Sequence, residues 1–133
     1  MSQSNEFSTA VMQLPTGVAT AGTAGDVYAI NRLGGKAQVT NVDFIPEAAI
    51  TANDSNNVTF TVTVGGVSLG TIVTSTSGTG DVVAGTNEPI ALSGAGSNLV
   101  AEGGLVKVAL TKAGSGIAVK GLCAVTLQRV RAD

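Results

Sequence analysis

The stretch Val58-Thr59-Phe60-Thr61-Val62-Thr63-Val64 alternates apolar side chains with threonines. Successive side chains of a β-strand point to opposite faces of the sheet. The pattern therefore predicts a half-buried strand with Phe60 on the buried face and Thr61 on the outer face. Gly65-Gly66 then interrupts the pattern, and Val67–Val73 resumes it. This order predicts a β-hairpin closed by a glycine turn.

Further extended segments flank this hairpin, each bounded by Gly, Asn, Pro or Ser. They are predicted at residues 38–44, 90–92, 105–111 and 120–130. Both faces of the last segment are largely apolar, which indicates a strand that is central or covered on both sides. Residues 46–50 predict a single helical turn, since Pro is tolerated at the first helical position. The chain is thus predicted to be all-β, a single small β-sandwich or barrel, with a jelly-roll-like topology preferred.

Residues 1–26 differ from the rest of the chain, being rich in Ser, Thr, Ala, Gly and Gln. Their large apolar side chains show no sustained period and are too scattered to form a core strand. We expect an extended N-terminal arm at residues 1–26 and a β-sandwich domain at residues 27–133. Such arms become ordered by docking apolar side chains on a partner, although a disordered tail is the alternative. The candidate residues for binding a partner or neighbouring copies are Phe7, Val11, Met12 and Leu14.

The composition limits the kinds of partner. Only four of 133 residues are aromatic (Phe7, Tyr28, Phe44 and Phe60), so the core is built from small side chains and a lone monomer is marginal. Charged residues make up 12%, the net charge is −2, and the basic residues form no run. Nucleic acid is therefore not an expected partner. We also expect no membrane segment, no secretory signal peptide and synthesis in the cytosol. Oligomerisation or docking on a larger body is expected instead.

The sequence offers little catalytic chemistry. It has no histidine, and its nine carboxylic side chains are spread singly along the chain. The usual general base and the commonest metal ligand are therefore missing. The single cysteine, Cys123, lies in an apolar stretch and is expected to be a buried, inert thiol. Glycine-rich residues 78–81 and 94–98 lack phosphate-loop spacing, and the Asn/Asp cluster at 53–57 lacks the pattern of a calcium loop. We expect no enzyme, no cofactor and no metal site.

A resemblance to a known family is carried by a series of short segments. They are Val82-Val83-Ala84-Gly85-Thr86, Ile90-Ala91-Leu92-Ser93, Asn98-Leu99-Val100-Ala101-Glu102-Gly103-Gly104, Val106-Lys107-Val108 and Lys112-Ala113-Gly114-Ser115-Gly116. Their order resembles that of small head decoration (cement) proteins, which are capsid-associated virion proteins of tailed bacteriophages. The likeness spans roughly residues 36–130 and leaves the arm unmatched. Where such proteins often have Gly-Asp, this chain has Gly103-Gly104.

The resemblance implies a structural virion protein. Such a cement protein binds the outer surface of the phage head, where it stabilises contacts between subunits of the major capsid protein. It implies a homo-oligomer, with a trimer favoured, or a multicopy lattice in which weak contacts act together. Its location would be the capsid surface of the virion, after assembly in the host cytoplasm. The alternatives are a phage fibre domain that binds host glycans and a tail-tube or tail-terminator subunit.

Overall fold

A computed structural model of the chain describes residues 7–14, 25–93 and 98–130. The described residues form nine β-strands and no helix. The strands are β1 (Phe7–Gln13), β2 (Gly25–Ile30), β3 (Ala37–Pro46), β4 (Asn57–Val64), β5 (Val67–Val73), β6 (Glu88–Pro89), β7 (Leu99–Val100), β8 (Leu105–Ala113) and β9 (Gly121–Arg129). The protein is therefore all-β, as the sequence predicts.

The strands form two antiparallel sheets that pack against each other. Sheet I has the order β1-β9-β3-β6, with β7 also paired to β3, and sheet II has the order β2-β8-β4-β5. The pairings are nested, because β1 pairs with β9, β2 with β8, β3 with β6 and β7, and β4 with β5. If β6 and β7 count as one interrupted strand, this is the eight-stranded order of a jelly roll. The preferred topology is thereby confirmed.

The hairpin that the sequence predicts is β4 and β5. Gly65 and Gly66 have φ angles of +59° and +83°, which is the left-handed conformation that a two-residue hairpin turn requires. Phe60 is fully buried, and Thr61 is partly exposed on the outer face. The assignment of the two faces is confirmed.

The core lies between the sheets, and valine is its commonest residue. Its largest side chains are Phe44 of β3 and Phe60 of β4. The last predicted strand, β9, lies between β1 and β3, as its two apolar faces indicate. The other fully buried apolar side chains of the described chain include Leu14, Leu69, Leu110, Val39, Val42, Val58, Val62, Val82 and Val100.

Two secondary-structure predictions are wrong. Residues 46–50 form no helical turn, because β3 continues to Pro46 and the Glu47 amide then donates to the Lys120 carbonyl oxygen (2.9 Å). Pairing with the chain that enters β9 thus overrides the local preference for a helix. Residues 90–92 are not a strand either, since the sheet pairing lies just ahead of them at β6, although Ile90 is buried.

The N-terminal segment also differs from expectation. Phe7–Gln13 form strand β1, paired along β9, so these residues are not too scattered to take part in the sheet. Strand β2 begins at Gly25, ahead of the expected start of the domain at residue 27. The division of the chain into an arm and a domain stays a prediction, and residues 1–6 and 15–24 of that arm lie outside the described residues.

Candidate interaction surfaces

The four candidate residues lie on opposite sides of β1 and of the residue that follows it. Phe7 and Val11 point outward and are 59% and 58% exposed. Met12 packs partly buried against the core, and Leu14 is only 1% exposed. The structure therefore does not bring the four residues to one surface, because the last two face the interior. Of these four side chains, Phe7 and Val11 are the two that a partner could contact.

The pairing of β1 with β9 fixes where these side chains lie. Val11 is opposite Ala124, and Thr9 is opposite Thr126, with the two hydroxyl oxygens 3.1 Å apart. Beyond the strand, the Leu14 amide donates to the Gly121 carbonyl oxygen (3.0 Å). Since β9 is its only partner strand in the described chain, β1 is the edge of sheet I.

Strand β2 is the matching edge of sheet II, and it also carries exposed apolar side chains. Tyr28 and Ile30 are 50% and 42% exposed on the outer face. Ile30 is opposite Leu105, which is exposed to a similar degree. An exposed ion pair joins Lys107 Nζ to Asp26 Oδ2 (3.6 Å) beside this patch. Such a surface pair contributes little stability.

Strands β1 and β2 lie beside each other, and we call this pair of strands the N-terminal edge. Exposed edges are normally protected by proline, lysine, bulges, short strands or covering loops. Both strands of the N-terminal edge lack proline, lysine and bulges.

The opposite side of the sandwich is protected. There β6 and β7 have two residues each. The Thr79 and Ser93 amides donate to carbonyl oxygens of β5, which places chain segments across that edge. Of the sheet edges in the described chain, the N-terminal edge is therefore the less protected one.

Two ionisable groups, Cys123 and Asp54, take part in contacts within the fold. The described residues bring together no group of His, Cys, Asp or Glu that could hold a metal ion. Cys123 is buried, and burial, together with the charge of Asp43, raises the pKa of its thiol to about 12. A hydrogen bond from the Thr76 hydroxyl lowers the pKa of Asp54. In the same loop, Asn53 Oδ1 accepts hydrogen bonds from two backbone amides, so these polar groups stabilise a turn.

Part of this surface was not predicted from the sequence. The sequence predicts no surface role for Tyr28, Ile30 and Leu105, although the alternation of Val27 and Ala29 with Tyr28 and Ile30 is a signal for a two-faced strand. The signal is weak because both faces carry apolar residues. For the same reason, the sequence of β1 does not show that Ala10, Met12 and the following Leu14 face the core.

Comparison with protein families, curated proteins and solved structures finds no match to this chain. Among residues 7–14, 25–93 and 98–130, no helix is long and apolar enough to cross a membrane.

Proposed function

We propose that the protein is a structural virion protein without enzymatic activity. It decorates the outer surface of a phage head and stabilises contacts between major capsid subunits. The N-terminal edge forms its attachment surface, to the capsid or to neighbouring copies. The observation that carries this proposal is the exposure of Phe7 and Val11 on an edge strand that has no proline, lysine or bulge.

The energetics of such an edge favour binding to a protein surface. Burying a large apolar side chain contributes roughly 1.5 to 3 kcal/mol before ordering costs are subtracted. Two or three such side chains give a weak single contact. On a shell with many identical sites, linked copies turn weak contacts into high occupancy. The resemblance of residues 36–130 to head decoration proteins supports the choice of a phage head as that shell.

The first test is location. Virions produced from the genome that encodes this chain are purified and analysed by mass spectrometry, and the protein is placed by cryo-electron microscopy. We expect many copies on the outside of the head. Its absence from virions, or a position in the tail, would overturn the proposal, and glycan-array binding would favour the host-attachment alternative.

The second test is the attachment surface. The double variant Phe7→Ser/Val11→Ser should fold normally, since both side chains are exposed, but should bind heads in far fewer copies. Val67→Ser is the matched control, because Val67 is 51% exposed at the β4–β5 turn, away from the N-terminal edge. Equal occupancy for the double variant and the control would exclude β1 as the attachment strand.

A further inference from the structure

A groove runs along the protected side of the sandwich, opposite the N-terminal edge. It lies between β5 of sheet II and β6 of sheet I and has a volume of about 450 Å³. Its walls combine apolar side chains with the polar side chains of Thr71, Thr79 and Glu88. The residues that matter here are Thr71, Ile72, Val73, Glu88, Pro89 and Ala91.

The backbone of Thr71 faces this groove. The Thr74 amide donates to the carbonyl oxygen of Val58, directly opposite (3.0 Å). Hydrogen-bonded pairs alternate along an antiparallel ladder, so Ile72 also turns its backbone groups toward β4. The backbone N–H and C=O groups of Thr71 and Val73 therefore point away from β4, toward the groove.

The neighbouring backbone groups on this edge are already used. The Val73 carbonyl oxygen accepts from the Thr79 amide (2.8 Å), and the Leu69 carbonyl oxygen accepts from the Ser93 amide (2.7 Å). Between them, Thr71 N–H and C=O have no hydrogen-bond partner among the described residues. The open stretch of edge is thus one residue long.

The carboxylate of Glu88 lines the same groove as Thr71. Glu88 is directly opposite Phe44, whose ring lies between the sheets, and opposed residues in a ladder share a face. The side chain of Glu88 is half-buried and lines the groove. Within the described part of the chain, no lysine or arginine forms an ion pair with it. Ile72, Pro89 and Ala91 supply apolar surface beside the carboxylate.

We propose that this groove binds a short extended segment of another protein that carries a lysine side chain. The backbone of the segment pairs with Thr71, the aliphatic stem of the lysine packs on the apolar wall, and the ammonium group pairs with Glu88. The charge of the carboxylate selects a cation, and the apolar wall suits a long aliphatic stem. Because the open edge is one residue long, a full added strand is excluded. This inference does not depend on the proposed attachment to a phage head.

The experiment is an NMR titration of the ¹⁵N-labelled full chain with two blocked tripeptides, acetyl-Thr-Lys-Thr-amide and acetyl-Thr-norleucine-Thr-amide. Norleucine keeps all four carbons of the aliphatic stem and lacks the ammonium group. The amide signals of Thr71, Ile72 and Ala91 should shift, and the lysine peptide should bind about tenfold more tightly, the effect of one charge-assisted hydrogen bond. Equal affinities, or shifts confined to another surface, would overturn the proposal.

Two variants separate the contributions. Glu88→Gln should reduce the affinity for the lysine peptide to that for the norleucine peptide, whereas Glu47→Gln, at an exposed carboxylate beyond the end of β3, should change neither. Thr71→Pro removes the N–H that faces the groove and should weaken both peptides, since proline is tolerated at outward positions of an edge strand. If Thr71→Pro fails to fold, the Glu88→Gln result decides the question alone. Unchanged lysine preference in Glu88→Gln contradicts the proposal.

Discussion

The rings of Phe44 and Phe60 contact each other across the two sheets, with centroids 4.5 Å apart and planes tilted by 34°. Phe44 belongs to β3 of sheet I and Phe60 to β4 of sheet II, and both are buried. The other two aromatic side chains of the sequence, Phe7 and Tyr28, are exposed. The aromatic pair is thus a contact between the two largest side chains of a core that is otherwise mainly aliphatic.

Phe60→Ala should lower the free energy of unfolding by about 3 to 5 kcal/mol. The change removes a fully buried ring and its contact with Phe44 across the sheets, and the neighbouring valines are too short to fill the cavity. Urea unfolding followed by circular dichroism measures the difference.

Thr61→Ala is the control for this prediction. Thr61 is the adjacent residue on the outer face of the same strand and is partly exposed. Its loss should change stability by less than about 1 kcal/mol, as is usual for surface positions. Equal losses for the two variants would contradict the assignment of the faces.

The β4–β5 hairpin could be predicted because the outer face of β4 at residues 58–64 carries only threonines, so that its alternation has one interpretation. Strands β1 and β2 could not, because apolar residues occupy both of their faces and the period of two disappears. The sequence favours a helical turn at Pro46 because the φ of proline is compatible with a helix, but this φ also fits the end of a strand. The distant pairing with Gly121 decides between the helical turn and the strand. The short β7 has too few residues to show a pattern.

The candidate surface was predicted only in part for the same reason. Without a period, Phe7, Val11, Met12 and Leu14 could only be grouped by hydrophobicity. The strand pairing with β9 is a long-range contact, and it is what separates the exposed pair from the buried pair. Side-chain direction on an edge strand follows from that pairing.

Leu14→Ala should destabilise the free protein by about 2 to 5 kcal/mol, since Leu14 is fully buried in the core. Thermal or urea unfolding of the purified protein measures this change. Val11→Ala provides the comparison, because Val11, in the strand just before Leu14, is 58% exposed and its loss should cost less than about 1 kcal/mol. If Leu14→Ala leaves the transition unchanged, β1 does not belong to the cooperative fold.

Cys123 should make the protein less stable in alkali. Burial and the charge of Asp43 raise the pKa of its thiol from 9.0 to about 12. A raised folded-state pKa means that the contribution to stability is complete below about pH 9 and is lost as the pH rises toward 12. Urea unfolding of the wild type and of Cys123→Ala across this range measures the effect, and only the wild type should show this extra loss.

The same thiol also gives a kinetic test. At pH 8 a disulfide reagent should not react with the native protein, because the thiol is buried and protonated, and should react fully in urea. Rapid modification under native conditions would show that Cys123 is accessible, contrary to the packing of β9.

The hydrogen bond between Thr76 and Asp54 should be visible in an acid titration. The Thr76 hydroxyl is the main cause of the lowered pKa of Asp54, whose ordinary value is 3.8. A lowered folded-state pKa means that this contribution to stability is present above pH 3.8 and is lost as the pH falls through the lowered value. Thr76→Val removes the hydroxyl and should move the pKa of Asp54 upward, only part of the way, because the Thr76 amide still donates to Asp54 Oδ1 (3.1 Å). Carbon-detected NMR of the Asp54 carboxyl group measures the pKa directly.

Thr63→Val, a matched change on the outer face of β4, should leave the pKa of Asp54 unaltered. An unaltered pKa in Thr76→Val would show that the Thr76 hydroxyl is not the cause of the lowered value.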